Sequence, residues 1–336
     1  MKRAAAFIGA GWVWAAGFAV GCAPLYLQPI EDQPMSRPAG PTASQIRRLA
    51  DADTARTAGD TEAALGILRT ILAERPGFGA AYVDMGEIYL QLAQSANAEV
   101  VLARAARLEP DNFDAWYGNG QALEMLDRLA AAAEAYQRAR AIAPESVEVN
   151  EQLAAINMRM GIPRRAVIFA EKALQLSPDS GPARAALGAI YEQTGRYADA
   201  AEQFQEALQL MEPTRPVLVS FINVLVIQLR YRDAGNVAKE LIRIDPSADA
   251  YERLGWCSAR LEELDESLQA YRTALELDPR HVRALTGLGT TALEKWLASD
   301  QQDAASQEEA AEALKRSLRI DSDQPEVLDL LLKYDL

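Results

Sequence analysis

Residues 112–144 read "NFDAWYGNGQALEMLDRLAAAAEAYQRARAIAP". Two helical patterns share this stretch. Trp116, Gly120 and Leu123 recur at helical spacing, and so do Ala132, Tyr136 and Ala139. Proline stops the second helix, because it lacks an N–H and its ring clashes with the preceding turn. The stretch predicts two helices joined by a short turn.

The pattern repeats. Prolines at 76, 110, 144, 178, 213, 246 and 279 follow one another at intervals of 33 to 35 residues, each behind a short helical ending such as "AARLEP" or "ALELDP". A fixed period of this length marks stacked supersecondary units. Asp or Ser often follows the proline (Asp111, Asp179, Ser247) and is expected to cap the next helix.

These positions resemble the tetratricopeptide repeat, whose pattern sets small residues at the eighth, twentieth and twenty-seventh places. The eighth gives Gly86, Gly120, Ala154, Gly188, Gly255 and Gly289. The twentieth gives Ala64, Ala98, Ala132, Ala166, Ala200 and Ala234, and the twenty-seventh Ala105, Ala139, Ala173, Ala207 and Ala274. The resemblance implies an all-α, right-handed superhelical solenoid. It would comprise about eight helix-turn-helix units (near 45–78, 79–112, 113–146, 147–180, 181–214, 215–247, 248–281 and 282–322) and a capping helix over 323–336. The terminal units are irregular, as array ends facing water should be. The first has a polar leading helix, and the eighth carries an insertion in "ASDQQDAASQEEA" with Ser322 in place of proline.

The amino terminus has a different character. "MKR" precedes the uncharged run "AAAFIGAGWVWAAGFAVG" and then Cys22. A positive start, an apolar run and small residues before a break form a secretory signal pattern. The ending "AVGC" resembles the bacterial lipoprotein signal, which implies a signal peptide over 1–21 and lipid on Cys22. An uncleaved membrane anchor is the open alternative, since the uncharged run could also span a bilayer. Both readings place the rest of the chain outside the cytoplasm, in the cell envelope: lipid-anchored in the outer membrane facing the periplasm, or held at the inner membrane. The five prolines within residues 23–43 predict a semi-rigid tether, which with Cys22 gives a segment 22–43 ahead of the solenoid at 44–336.

The chain carries a net charge of −14, which disfavours a nucleic-acid partner. Its single histidine, His281, excludes two-histidine metal and catalytic arrangements. Lying at a repeat boundary, it is expected to be a solvated turn residue. Two cysteines, Cys22 and Cys257, give no disulfide framework, and Cys257 is expected to pack as a small hydrophobe. No phosphate loop, metal-ligand spacing or nucleophile elbow is present, so no cofactor, no metal and no enzymatic activity are expected.

The resemblance implies instead a protein or peptide partner held in a concave groove lined by first helices. The family's groove positions fall on Asp84, Glu87, Gln91, Asp114, Tyr117, Gln121, Glu124, Glu151 and Gln152 in the amino-terminal half. In the carboxy-terminal half they fall on Glu252, Arg253, Trp256, Arg260 and Arg283. The first half is thus acidic, and the second carries arginines beside a tryptophan expected to be exposed. The alternative is an ordinary mixed-charge solvated surface. The Lys and Asn of the chaperone-tail clamp are absent from matching positions. Repeat six departs from the pattern: "PVLVSFINVLVIQL" is apolar all round, with Ile222 at the eighth place and Val219, Val226 and Ile227 at groove places. Such a helix is either covered by its neighbours or presented to a partner. The expected role is that of a membrane-tethered scaffold or adaptor in envelope assembly. Self-assembly through repeat six, and an accessory role beside an envelope enzyme, are the alternatives.

Overall fold

The computed structural model describes residues 40–336; Cys22, the signal pattern and most of the tether lie outside the described residues. Seventeen helices and no strand occur among the described residues. They run as pairs: α1 (Ala43–Thr57) with α2 (Thr61–Glu74), α3 (Gly79–Gln91) with α4 (Ser95–Leu108), α5 (Phe113–Met125) with α6 (Leu129–Ile142), and α7 (Val147–Arg159) with α8 (Pro163–Leu176). The series continues with α9 (Gly181–Gln193) and α10 (Tyr197–Leu210), α11 (Arg215–Ile227) and α12 (Tyr231–Ile244), and α13 (Ala248–Arg260) and α14 (Leu264–Leu277). It closes with α15 (Val282–Ala298) and α16 (Ala304–Ile320), then the single helix α17 (Pro325–Lys333). Each helix packs on the next in sequence, and neighbouring first helices also touch, α3 on α5 and α13 on α15 among them. The result is an all-α solenoid.

The periodic residues create this stacking. Ala64, Ala98, Ala132, Ala166, Ala200 and Ala234 are all wholly buried, where second helices press against their partners. In repeats two, three, five and seven the eighth-place glycine meets a bulky side chain sixteen residues on, whereas repeat four has Ala154 and Ala170 at these places. A β-carbon on Gly120 would stand 2.6 Å from the Tyr136 ring, one on Gly188 2.9 Å from the Phe204 ring, and one on Gly255 3.0 Å from the Tyr271 ring. Real β-carbons essentially never approach below about 3 Å, so the close helix–helix contact requires glycine.

Repeat six reverses the sizes. Ile222 takes the small place, and Ala238 stands sixteen residues later where Tyr136 and Phe204 stand in their own repeats; both are buried. The total volume is kept while its source moves from the second helix to the first.

Turn chemistry is uniform where the sequence is not. Arg75, Glu109, Ala143, Ser177, Asp245 and Asp278, each directly before a repeat proline, adopt φ between −126° and −145° with ψ between 76° and 96°. Proline pushes its predecessor out of the helical region in this way. Asp321 keeps a similar conformation (φ −128°, ψ 108°) although Ser322 follows it. Within each pair the turn needs a positive φ. Glycine supplies it at 59, 161 and 195, but Ala93, Asp127, Leu229 and Glu262 adopt it elsewhere.

One sequence expectation is corrected. The side-chain caps are Asn112, Ser146, Ser180 and His281, which accept from the backbone N–H three residues on. Asp111 and Asp179 lie one residue too early, and Ser247 occupies the cap position without bonding the helix, its hydroxyl turning to Asp245. The insertion of the eighth unit lengthens its helices: α15 and α16 are each 17 residues long, against 13 and 14 in α13 and α14. The expected carboxy-terminal helix is α17, which leaves Leu328 and Leu332 50% and 74% exposed.

The size exchange gives a test. Gly188→Ile should destabilise by about 1–3 kcal/mol through overpacking, and Phe204→Ala by about 3–5 kcal/mol through cavity formation. The double variant copies Ile222 and Ala238, so its loss in chemical denaturation should fall below the sum of the two by at least about 1 kcal/mol. A strictly additive double variant would refute the pairing.

Candidate protein-binding groove

First helices alternate small inward residues with long polar ones on the opposite face, and that face carries the groove positions. Four cavities lie along it. In the amino-terminal half, Glu87, Asp114, Tyr117, Gln121 and Glu148 surround about 390 Å³, with Leu90 and Phe113 as apolar walls. Gln121, Glu124, Gln152, Met125 and Arg159 border a second of about 640 Å³. Phe113 and Tyr117, one turn apart on α5, stack with ring centroids 5.5 Å apart and an interplanar angle of 11°.

The amino-terminal wall is acidic and partly desolvated. Burial pushes the Asp84 carboxyl up to about 6, and the nearby Glu87, Asp53 and Asp114 carboxylates add to the rise. Burial likewise raises Glu87 and Glu151. The cation closest to this group is Arg56, already hydrogen-bonded to Asp53 and 4.0 Å from Glu87. Like charges held together in a partly buried setting favour protonation or an incoming cation.

Not every expected groove residue faces outward unengaged. Glu124 accepts from the Tyr136 hydroxyl at 2.9 Å and from Arg159 at 2.8 Å, so it joins α5, α6 and α7. Gln152 hydrogen-bonds the Tyr117 hydroxyl. Asp84 and Glu151 line neither cavity: Asp84 is half-buried beside Glu87, and Glu151 is exposed.

In the carboxy-terminal half, Val226, Arg253, Trp256, Arg260 and Arg283 come together around a cavity of about 830 Å³. Val219, Arg253 and Arg283 border a smaller one of about 290 Å³. Trp256 is half-buried rather than exposed. It lies edge-on to Tyr231 at 5.5 Å, with the Arg260 guanidinium 5.0 Å above its ring. Arg253 donates to Asn223 Oδ1 at 2.9 Å, and Arg283 to Asp249 at 3.0 Å. The apolar helix α11 divides its surface. Leu218, Phe221, Ile222, Val224 and Leu225 are buried, Val219 and Val226 are half-buried against the core, and Ile227 is 49% exposed. Neighbours therefore cover most of it, leaving Ile227 and the adjoining Leu229 (69% exposed) uncovered.

His281 is also corrected. Its Nδ1 accepts from the Ala284 N–H at 3.1 Å, so the ring proton sits on Nε2 and points to Asp249 Oδ1 at 3.1 Å. That bond is the first cause holding Asp249 below the usual carboxylate range. Cys257 is a buried free thiol pushed up to about 11 by burial, which suits packing and not nucleophilic work. Among the described residues no cluster of His, Cys, Asp and Glu could hold a metal, and no helix is long and apolar enough to cross a membrane.

Sequence reasoning missed Asn223, Tyr271 and Gly287 on the larger cavity. Gly287 lies outside the eighth-place register, two residues before Gly289, as Gly118 lies before Gly120 on α5.

Comparison with known proteins agrees with this geometry. Two tetratricopeptide-repeat family models match, one over residues 55–118 and the other over 182–213 and 248–281. Heat shock protein STI1 of Saccharomyces cerevisiae is 37% identical over 94 residues, covering 27% of this chain and 16% of that protein. Curated relatives are longer: the chain spans 13%, 16% and 51% of three of them. Among solved structures, the C-terminal part of a TPR repeat-containing protein from Cytophaga hutchinsonii superposes with a TM-score of 0.61 at 17% identity, over 71% of this chain and 99% of that one. YrrB, described as a TPR protein with an unusual peptide-binding site, gives 0.51 at 23% identity over 59% of this chain and 98% of its own. Tetratricopeptide repeats are thus matched at residues 55–118, 182–213 and 248–281. Proteins built of such repeats in general mediate protein–protein interaction and are not catalysts.

The raised Asp84 carboxyl fixes a sign for pH dependence. A carboxyl whose proton affinity rises on folding stabilises the fold below its unfolded value and loses that contribution as pH climbs through about 6. Asp84→Asn should therefore be more stable than the parent at pH 7 by about 1–2 kcal/mol, a figure reduced because solvent still reaches the group. The gap should close by about pH 4. Urea midpoints across this range measure it, and a gap that widens toward low pH would contradict the assignment.

Proposed function

We propose that this chain is a non-catalytic scaffold that holds a protein partner, or an extended segment of one, along the wall formed by its first helices. The observation that carries this reading is the run of cavities on that wall, lined by half-buried carboxylates, stacked aromatics and arginines that the packing of the repeats does not require. YrrB, of the same fold, is described as having a peptide-binding site, which is in keeping with it. On the strength of "AVGC" we further propose that Cys22 carries lipid, and that residues 22–43 tether the solenoid to a membrane of the cell envelope, where it serves assembly or biogenesis.

A photo-crosslinking residue in place of Tyr117, on the wall, should capture a partner in cells. The same residue in place of Arg138, exposed on α6, should not. Equal capture at both positions would defeat the groove reading. For the tether, Cys22→Ala should release the protein from membranes, and mass spectrometry of the parent should find acyl chains on Cys22. A membrane-bound protein that retains Met1 would overturn cleavage and lipidation together.

The exposed Ile227 and Leu229 favour one second reading, self-association at the repeat-six turn. Light scattering at micromolar concentration decides it: a strict monomer eliminates this reading.

A further inference from the structure

Repeats two to four separate charge by helix. Their first helices, α3, α5 and α7, carry six carboxylates and one cation, Arg159. Their second helices, α4, α6 and α8, carry seven cations and three carboxylates. The whole chain has 48 Asp and Glu against 34 Lys and Arg. An excess of cations on three successive second helices therefore runs against the composition.

The cations stand in register. Ala98, Ala132 and Ala166 turn into the stack and are wholly buried. Six residues on, each helix faces away from its partner, and the residues there are Arg104, Arg138 and Lys172. The two arginines are exposed and the lysine is half-buried. One turn toward the helix start, the same outer side shows Val100 and Ile168, 63% and 62% exposed. The row of cations ends abruptly, with Glu206 at this place in repeat five and Glu240 in repeat six.

Most of these cations have no carboxylate. Among the described residues the side chains of Arg104, Arg107, Arg138, Arg164 and Arg165 make no ion pair or hydrogen bond. Lys172 has only Glu145, 3.8 Å away and itself 79% exposed. By contrast Arg232, Lys239, Arg272 and Arg316, on later second helices, each have a carboxylate partner. In a chain with carboxylates to spare, a face of unpaired cations is open to an anion from outside.

The form of the row narrows which anion. The cations spread over three helices and line none of the four cavities, so they match an extended surface and not an enclosed ligand. A second copy would have to offer its acidic wall, but Asp84 and Glu87 are half-buried there and do not project toward a convex face. An anionic bilayer presents negative charge that is continuous and laterally mobile, and each nearby Lys or Arg adds to its attraction. Exposed apolar side chains between the cations suit the boundary of headgroups and acyl chains.

We infer that the outer face of α4, α6 and α8 rests on an anionic lipid surface, with Arg104, Arg138 and Lys172 at the phosphates and Val100 and Ile168 in the headgroup layer. The acidic first helices of the same repeats then turn away from the membrane, because its charge repels them. The proposed tether brings the chain to a membrane without orienting it. This contact orients it, and holds whether or not Cys22 carries lipid.

The test uses the full chain with vesicles of phosphatidylcholine alone, and with vesicles of equal parts phosphatidylcholine and phosphatidylglycerol. A fluorescent amino acid in place of Ala141, exposed on the outer side of α6, reports contact through a quencher on the lipid headgroups. The same residue in place of Glu151, exposed on α7, is the control. Quenching is expected at position 141, only with phosphatidylglycerol, and reversed by high salt. Arg104→Gln, Arg138→Gln and Lys172→Gln should each weaken the contact about fivefold, and together roughly a hundredfold. The urea midpoint of the triple variant should stay at that of the parent, since these side chains bond nothing in the fold. Quenching that ignores phosphatidylglycerol, that is equal at 141 and 151, or that survives in the triple variant overturns the inference. So does a dimer in light scattering that the triple variant loses, which would assign the face to a second copy. Flotation with phosphatidylcholine vesicles reports the tether by itself. A chain that floats there but shows no quenching at 141 on mixed vesicles keeps the tether and loses this inference. Quenching on mixed vesicles without that flotation does the reverse.

Discussion

Everything in this solenoid depends on how closely two helices of a pair can approach. In repeats two, three, five, seven and eight that approach is set by one contact, a small residue on the first helix against a large one on the second. Gly188 against Phe204 and Gly255 against Tyr271 show its usual form, and Ile222 with Ala238 its inverse. The contact fixes the pair, the wholly buried alanines fix the stacking of second helices, and the pre-proline residue fixes the exit direction. Stability is then built from nearest neighbours. The outward face of each first helix takes no part in these contacts, so its side chains can vary without loosening the repeat.

That division explains what could be read from the chain. The period, the helix pairs and the small positions are local or nearly local features, and the buried alanines stand where a thirty-four-residue register puts them. The residues that went astray depend on partners that the register does not name. Ile222 looked like a break in the pattern until Ala238, sixteen residues away, was set against it. His281 looked like a solvated turn residue, yet it caps α15 and reaches Asp249 in the preceding repeat. Glu124 sat at a groove place by register but is bonded into the fold by Tyr136 and Arg159. The insertion near residue 300 shows in the sequence only as extra length, and both flanking helices grew by about a turn and absorbed most of it. Periodicity reports which face a residue occupies and says nothing of which side chain waits opposite.

Ser267 makes the same point inside the core. It fills the place held by alanine in the other repeats, and burying a hydroxyl there would be unfavourable without a partner. Its hydroxyl donates to the Gly255 carbonyl at 2.8 Å and lies 3.3 Å from Thr291. A polar atom in the tightest layer is thus satisfied within two repeats, as the fold manages for Tyr136 and Asn157 as well. The contrast with the wall is instructive, because there carboxyl groups are set against like charges.

Such groups weaken the folded chain, and a repeat protein has ready means to remove them. Asp84, for one, could be asparagine without disturbing any core contact. A modular array can carry these local deficits, since each is confined to one or two repeats and the remaining interfaces hold the stack. The carboxyl groups that burial raises, among them Asp84, Glu87, Glu192 and Glu252, lie on first helices. Unfavourable polar groups scattered over the surface would be the ordinary outcome of an acidic composition. Their placement on the face that packing leaves free is the ground on which we propose that face as a binding surface.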